Sequence, residues 1–203
     1  MPYQTAESLQ PLLDRLLEGG PAARMALLDH SQERLRRLTH RMLRKYPGVA
    51  RWEDTNDVFQ NVLIRLDKAL QEVTPPSPAG FLSLAATHLR WELIDLSRRY
   101  NGPSGLNVHY ASPPIDQEGV RTAPDQTVED CDPFGLSVWN EFHSHIESMP
   151  VEQRKLFDVL FYQGLPQVEA ATVLAVPLRT LRRRWQEARV RLMEDLGDDF
   201  PEI

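Results

Sequence analysis

Residues 167–192 read QVEAATVLAVPLRTLRRRWQEARVRL, and the fold class turns on how this stretch divides. Gln167 to Leu174 carries a short helical pattern, Ala175-Val176-Pro177 a tight turn, and Leu178 onward a longer helix. Proline suits the start of that second helix, because its φ is already helical and its missing N–H would have had no partner there. At about 100° per residue, Leu181, Trp185, Ala188 and Leu192 fall on one side and can pack inward. Arg179, Arg183, Gln186 and Val190 fall on the opposite side; Arg182 and Arg189 flank one edge, Arg184 and Arg191 the other. From Leu178 to Leu192, six arginines thus stand with one acid, Glu187. A helix, a short turn and a basic second helix form the helix-turn-helix plan, whose second helix lies in the major groove of DNA. The planar fork of arginine matches O6 and N7 of guanine, and glutamine similarly serves adenine. Flanking arginines suit phosphates, which position the helix without reading sequence. A solvated arginine face has the same periodicity; the short helix and turn in front of it favour the DNA reading.

Working outward, helical periodicity runs from Val138 almost to the end, broken at Met149-Pro150, Gly164-Leu165-Pro166 and Val176-Pro177. Before it, residues 101–136 change character. Glycines 102, 105, 119 and 135, prolines 103, 113, 114, 124 and 133, and six acids (116, 118, 125, 129, 130, 132) face only Arg121. A stretch of this length without periodicity is unusual inside one compact domain and reads as a linker between two. In the front half, Val58, Val62, Leu66 and Leu70, with Phe59 and Leu63 beside them, mark an amphipathic helix over 54–70. Ser77-Pro78 supplies a capping hydroxyl and a first-turn proline for the next helix. Its apolar face is Phe81, Ala85, Leu89, Leu93 and Leu96, and Asn101-Gly102-Pro103 stops it. The fold class expected is all-α: a helical domain over 1–101 with an N-terminal helical extension, an acidic Pro/Gly-rich linker over 102–136, and a helix-turn-helix domain over 137–203.

Composition narrows the function. The net charge of −6 over 203 residues speaks against a globally cationic nucleic-acid binder, but the charge is unevenly placed. Arg34, Arg36, Arg37, Arg41, Arg44, Lys45 and Arg51 form a second basic run with no acid before Glu53. Basic patches on either side of an acidic stretch fit local phosphate contacts. Residues 1–10 have neither the basic start nor the apolar run of a secretory signal, and no stretch approaches the ~20 apolar residues of a membrane span. A lone cysteine, Cys131, excludes an internal disulfide and fits a reducing cytoplasm. No phosphate loop, dinucleotide fingerprint or His-Glu-x-x-His is present, so an enzyme is not expected. Glu141-Phe142-His143-Ser144-His145 looks metal-like, yet histidines two apart on a helix diverge; no metal and no cofactor are expected.

Here a resemblance enters. Met149-Pro150, Arg154 to Tyr162, Gly164-Leu165, Val168 to Leu174 and Thr180-Leu181-Arg182-Arg183-Arg184, continuing Glu187-Ala188-Arg189, resemble the fourth conserved region of the extracytoplasmic-function (ECF) group of sigma-70 factors. Ala175 stands where that turn usually has glycine, and Pro177 where a capping serine is common. Asp54-Thr55-Asn56-Asp57-Val58-Phe59-Gln60-Asn61-Val62 is similar to the second-region helix that docks on the clamp helices of RNA polymerase, which implies polymerase contacts at Asp54, Asp57, Gln60 and Asn61. Phe81-Leu82 through Arg98-Arg99 resembles the helix that meets the melted promoter, in a variant form, His88-Leu89-Arg90-Trp91-Glu92-Leu93-Ile94-Asp95.

The resemblance implies a transcription initiation factor whose partners are core RNA polymerase and promoter DNA. The C-terminal helix would read the −35 element through Arg179, Thr180, Arg182, Arg183, Arg184 and Gln186. The front domain would meet the −10 element through His88, Arg90, Trp91, Arg98 and Arg99, where aromatic faces can hold unstacked bases. Trp91 is equally well read as a core aromatic, and His88 is rather better read as an ordinary, partly exposed helix histidine. Two weakly binding domains on a tether gain by effective concentration. The linker acids are either mimics of nucleic-acid charge in the RNA path or a solvated spacer. An anti-sigma factor, or a kinase acting on Thr55, is a further partner of the kind such a factor would answer to. The alternative is a free-standing helix-turn-helix regulator, or, more remotely, a helical adaptor.

Overall fold

The computed structural model describes residues 6–44, 54–101 and 133–197, and every regular element among them is a helix. The front half contains α1 (Ala6–Leu17), α2 (Pro21–Leu43), α3 (Thr55–Glu72) and α4 (Pro78–Asn101). The back half contains α5 (Pro133–Ser148), α6 (Val151–Leu156, running on as a π-wound turn Phe157–Tyr162), α7 (Gln167–Val173) and α8 (Leu178–Leu196). None is long and apolar enough to cross a membrane.

Local chemistry explains the ends. The Asp54 carboxylate accepts from Asn56 N–H at 2.7 Å and caps α3. The Ser77 hydroxyl accepts from Gly80 N–H at 3.2 Å at the head of α4. The buried hydroxyls of Ser31 and Thr39 donate to carbonyls one turn back in α2, Leu27 and Leu35, so their burial costs little. The expected apolar stripes are buried: Val58, Phe59, Val62, Leu66 and Leu70 on α3, and Phe81, Ala85, Leu89, Leu93 and Leu96 on α4. On α1, Leu9, Leu13 and Leu16 close the front bundle over α2 and α4.

Two features depart from the sequence expectation. Helix α5 begins at Pro133, inside the stretch expected as linker; proline is as well placed in a helix's first turn as in a loop, so its presence does not separate the two. Residues 102–132, with Cys131 and the acids, lie outside the described residues, as do Lys45 and Arg51 of the basic run. The two halves also do not hold separate cores. Their buried side chains form one continuous cluster, with α4 packed against α5 and α6 and α1 touching α7. The helices were legible because each stripe is local; the packing of one half on the other depends on contacts between distant segments.

Candidate nucleic-acid interface

Helix α8 is set by its inner face. Leu181, Ala188, Leu192 and Leu196 are buried, and Trp185 meets the ring of Phe157 edge-on at 4.8 Å, fastening α8 to α6. The opposite side is exposed: Arg179, Arg182, Arg183, Arg184, Gln186 and Arg191, with Thr180 half-buried at the start. Arg182 Nε donates to Gln167 Oε1 at 3.1 Å, and Arg183 pairs with Glu187 at 3.0 Å. Helix α7 leads into the turn through a two-bond cap. Ala175 N–H donates to Thr172 O at 3.1 Å and Val176 N–H to Ala171 O at 3.0 Å, while Ala175 takes a left-handed φ of 52°. The position usually filled by glycine is therefore in the conformation that favours glycine.

Helix α3 presents a second surface. Asp57, Gln60, Asn61 and Ile64 share its exposed side, with Asp54 at the head and Thr55 half-buried beside it. Asn61 Nδ2 donates to Glu92 Oε1 at 3.0 Å, and Arg65 bridges Glu92 at 2.8 Å and Asp95 at 2.7 Å, so α3 is tied to α4 by charge.

The expected strand-binding residues on α4 do not share one surface. Trp91 is 42% exposed, and Arg98 and Arg99 are exposed. Trp91 and Arg98 border an open hollow of about 570 Å³, shared with Arg65, Ile94, Asp95 and, from α5, Ser144, Glu147 and Ser148. His88 is only 9% exposed, edge-on to Trp91 at 5.2 Å, and its Nδ1 finds no hydrogen-bond partner among the described residues. Burial, joined by the charge of Arg65, lowers its pKa. Arg90, expected among the DNA contacts, is fully buried. Its Nε donates to Glu147 at 2.8 Å, Nη1 to Asp158 at 2.9 Å and Nη2 to Thr87 at 3.2 Å. The guanidinium also lies 5.0 Å over the Tyr162 ring. Burial works to lower its pKa, but Tyr162, Asp158 and Glu147 outweigh that and raise it, while burial raises the Asp158 carboxyl against the pull of Arg90. In this arrangement Arg90 is a tie between the halves.

The contacts between the halves are completed by Glu147, Asp158 and Gln163, none of which was singled out from the sequence, and by Arg34 and Arg41 of the basic run, read there as phosphate contacts. One signal was available: Asp158 is a lone acid in the apolar run Leu156 to Tyr162, and a buried acid needs a cation. Of the metal-like pair, His143 is buried with its Nδ1 against the Tyr162 hydroxyl, and His145 lies on another side near Glu141. No cluster of histidine, cysteine or carboxylate side chains able to hold a metal ion occurs among the described residues.

An acid-headed amphipathic helix followed, further along one helical chain, by a basic helix-turn-helix carries the features of a known family. The sequence profile described as ECF sigma factor matches residues 6–198. The chain belongs to the ECF sigma factor family. As an ECF sigma factor it is a transcription initiation factor that binds core RNA polymerase and directs it to promoter DNA. Sigma factors of this kind act by binding, without catalysis. Among curated proteins, none matches the chain. In this sigma factor the match spans both halves, so α3 and α8 belong to one initiation factor.

Proposed function

We propose that this ECF sigma factor reads the −35 element with the outer face of α8 and the −10 element with α4, while α3 docks on polymerase. In this reading Arg179, Arg183 and Gln186 contact base edges, and Thr180, Arg182 and Arg184 position the helix on the backbone. His88, Trp91, Arg98 and Arg99 meet the melted strand, while Arg90, enclosed by Glu147 and Asp158, holds α4 in place. Asp54, Asp57, Gln60 and Asn61 form the docking surface. The observation that carries it is the free outer face of α8: exposed arginines and Gln186 stand opposite a fully packed apolar face. Such a face supplies both phosphate and base contacts.

The test is promoter-dependent transcription with cognate core polymerase. Arg179→Ala and Arg183→Ala should each weaken duplex binding at the −35 element by roughly 5- to 150-fold, the equivalent of ~1–3 kcal/mol per base contact. Unaltered binding would remove α8 from the reading. Specific duplex binding by the protein alone, without association with core enzyme, would support the free-standing regulator.

A further inference from the structure

We propose that the outer edge of α2, through Arg37, Arg41 and Arg44, is a seat for duplex phosphates, so that both halves hold the DNA whose groove takes α8. It rests on the reading of α8 given above and adds a duplex contact in the front half.

The basic run of α2 divides into an inner and an outer set. Arg34 turns inward, and its Nε donates to Gln163 Oε1 at 2.9 Å. Arg36 lies over the Phe59 ring of α3 at 5.0 Å. Arg37, Arg41 and Arg44 stand at i, i+4 and i+7, on one side of the helix, and all three are exposed. At 1.5 Å per residue they rise through about 10 Å along α2, while phosphates of one strand recur every ~3.4 Å along a duplex. The edge is thus long enough for about three successive phosphates.

The middle of this edge is fixed against the back half. Arg41 Nη2 donates to the carbonyl oxygens of Phe161 and Tyr162, and its guanidinium covers Gly164, where a Cβ would collide with it. Both bonds leave from one nitrogen, and the fork has further N–H groups for an anion. From Gly164 the chain leads to Gln167, whose Oε1 accepts from Arg182 Nε at 3.1 Å. That stretch spans at most about 11 Å, which puts the Arg41 guanidinium within roughly 20 Å of Arg182, at the edge of the reading face of α8. Roughly 20 Å is about six steps of duplex, little more than half a turn. In a helix-turn-helix the first helix crosses the DNA backbone, and Gln167 at the head of α7 lies between these two arginines. A strand that passes α7 therefore runs from Arg182 towards α2.

Charge gives independent support. Burial lowers the pKa of Arg34, Glu169 of α7 opposes this, and the charges of Arg37 and Arg41 lower it further. Three guanidiniums are therefore held within electrostatic reach of one another. Glu33 faces Arg37 at 3.7 Å, but both side chains are more than half exposed, and such a pair contributes little. Like charges kept this close repel, and an anion between them relieves the repulsion. The flanking phosphates of a duplex seated on α8 are that anion.

The test is the salt dependence of duplex binding by the full chain without polymerase. The probe is a fluorescein-labelled, random-sequence duplex roughly three turns long, titrated between about 50 and 200 mM salt. Each phosphate contact contributes about 0.9 to the slope of log affinity against log salt. Arg37→Gln with Arg44→Gln should therefore lower the slope by roughly 1.8 and weaken binding to every sequence alike. Arg41 is left in place because it ties α2 to the back half. Arg15→Gln with Lys68→Gln makes the same charge change on exposed residues near the opposite end of α2. Lys68 adjoins Asp67, which pairs with Arg24, a helix length of about 30 Å from Arg44. This control should leave the slope unchanged.

A slope lowered in the edge variant and kept in the control supports the seat. An edge variant indistinguishable from the control overturns it. The reading of α8 then stands if Arg182→Gln with Arg183→Gln still lowers the slope, and falls with the seat if that pair does not. A control that lowers the slope as much as the edge variant also overturns the seat, since charge anywhere would then suffice. A wild type that fails to bind the duplex at about 50 mM salt overturns it too, and promoter-dependent transcription with core polymerase then decides α8 alone.

Discussion

Ala175 carries a backbone cost that glycine would remove. Its φ of 52° is required by the two-bond cap that ends α7, and a Cβ in the left-handed region costs on the order of 1 kcal/mol. Ala175→Gly should therefore raise stability by about 1 kcal/mol, less a few tenths for the added freedom of the unfolded chain. Thermal denaturation decides it, and an unchanged or lower Tm would mean the cap tolerates alanine without strain. His88 makes a pH-dependent contribution. Burial and Arg65 hold its pKa below the ordinary value of 6.5. The folded state thus prefers the neutral ring, so this stability is present above the ordinary pKa and is lost as pH falls through the depressed one. His88→Gln should flatten the fall in Tm between roughly pH 7 and 5. An unchanged slope would assign that titration to other groups. Neither feature is legible in sequence alone: the alanine was visible as a departure from the family's glycine, but its φ was not.

At the scale of an element, α3 separates a folding role from a docking role. Asp54 caps the helix, so Asp54→Ala should cost about 1 kcal/mol of stability whatever else it touches. Asp57 and Gln60 point to solvent and make no contact that the fold needs beyond the dipole of the first turn. Asp57→Ala with Gln60→Ala should change stability by less than about 1 kcal/mol while sharply lowering polymerase-dependent initiation. Melting curves beside a transcription assay check both, and a double variant that initiates normally would move the docking surface elsewhere. Sides of helices were readable because 3.6-residue periodicity is a property of a short window. The stripe on α3 and the inward set Leu181, Ala188 and Leu192 on α8 both follow that rule. The π-wound turn Phe157–Tyr162 does not, because nothing in its apolar run distinguishes π winding from ordinary helix. That turn sets Asp158 and Tyr162 against Arg90 and places Gln163 on Leu82.

For the whole molecule, Arg90 is where the two halves are held to one another. Removing one member of a buried pair costs ~3–5 kcal/mol when the stranded partner stays buried. Here Asp158, 2% exposed, would be stranded in the core the halves share, while Glu147 is partly exposed. Arg90→Ala should therefore lower stability by about 3–5 kcal/mol, read from thermal denaturation, and Asp158→Asn introduced with it should recover part of the loss. A loss of less than about 1 kcal/mol would mean that the pair contributes no more than a surface ion pair.

The sequence by itself determined the helices, their inner and outer faces, the basic helix-turn-helix and the family to which the chain belongs, since each depends on spacing within a few turns. Only the tertiary structure decided which of the expected contact residues meet solvent and which meet the other half. Arg90 and Arg98 look alike as arginines on one helix, yet Arg98 is exposed and Arg90 is enclosed by carboxylates 57 and 68 residues further along the chain. Periodicity records which way a side chain turns from its own helix; what packs there is set by elements far away in sequence.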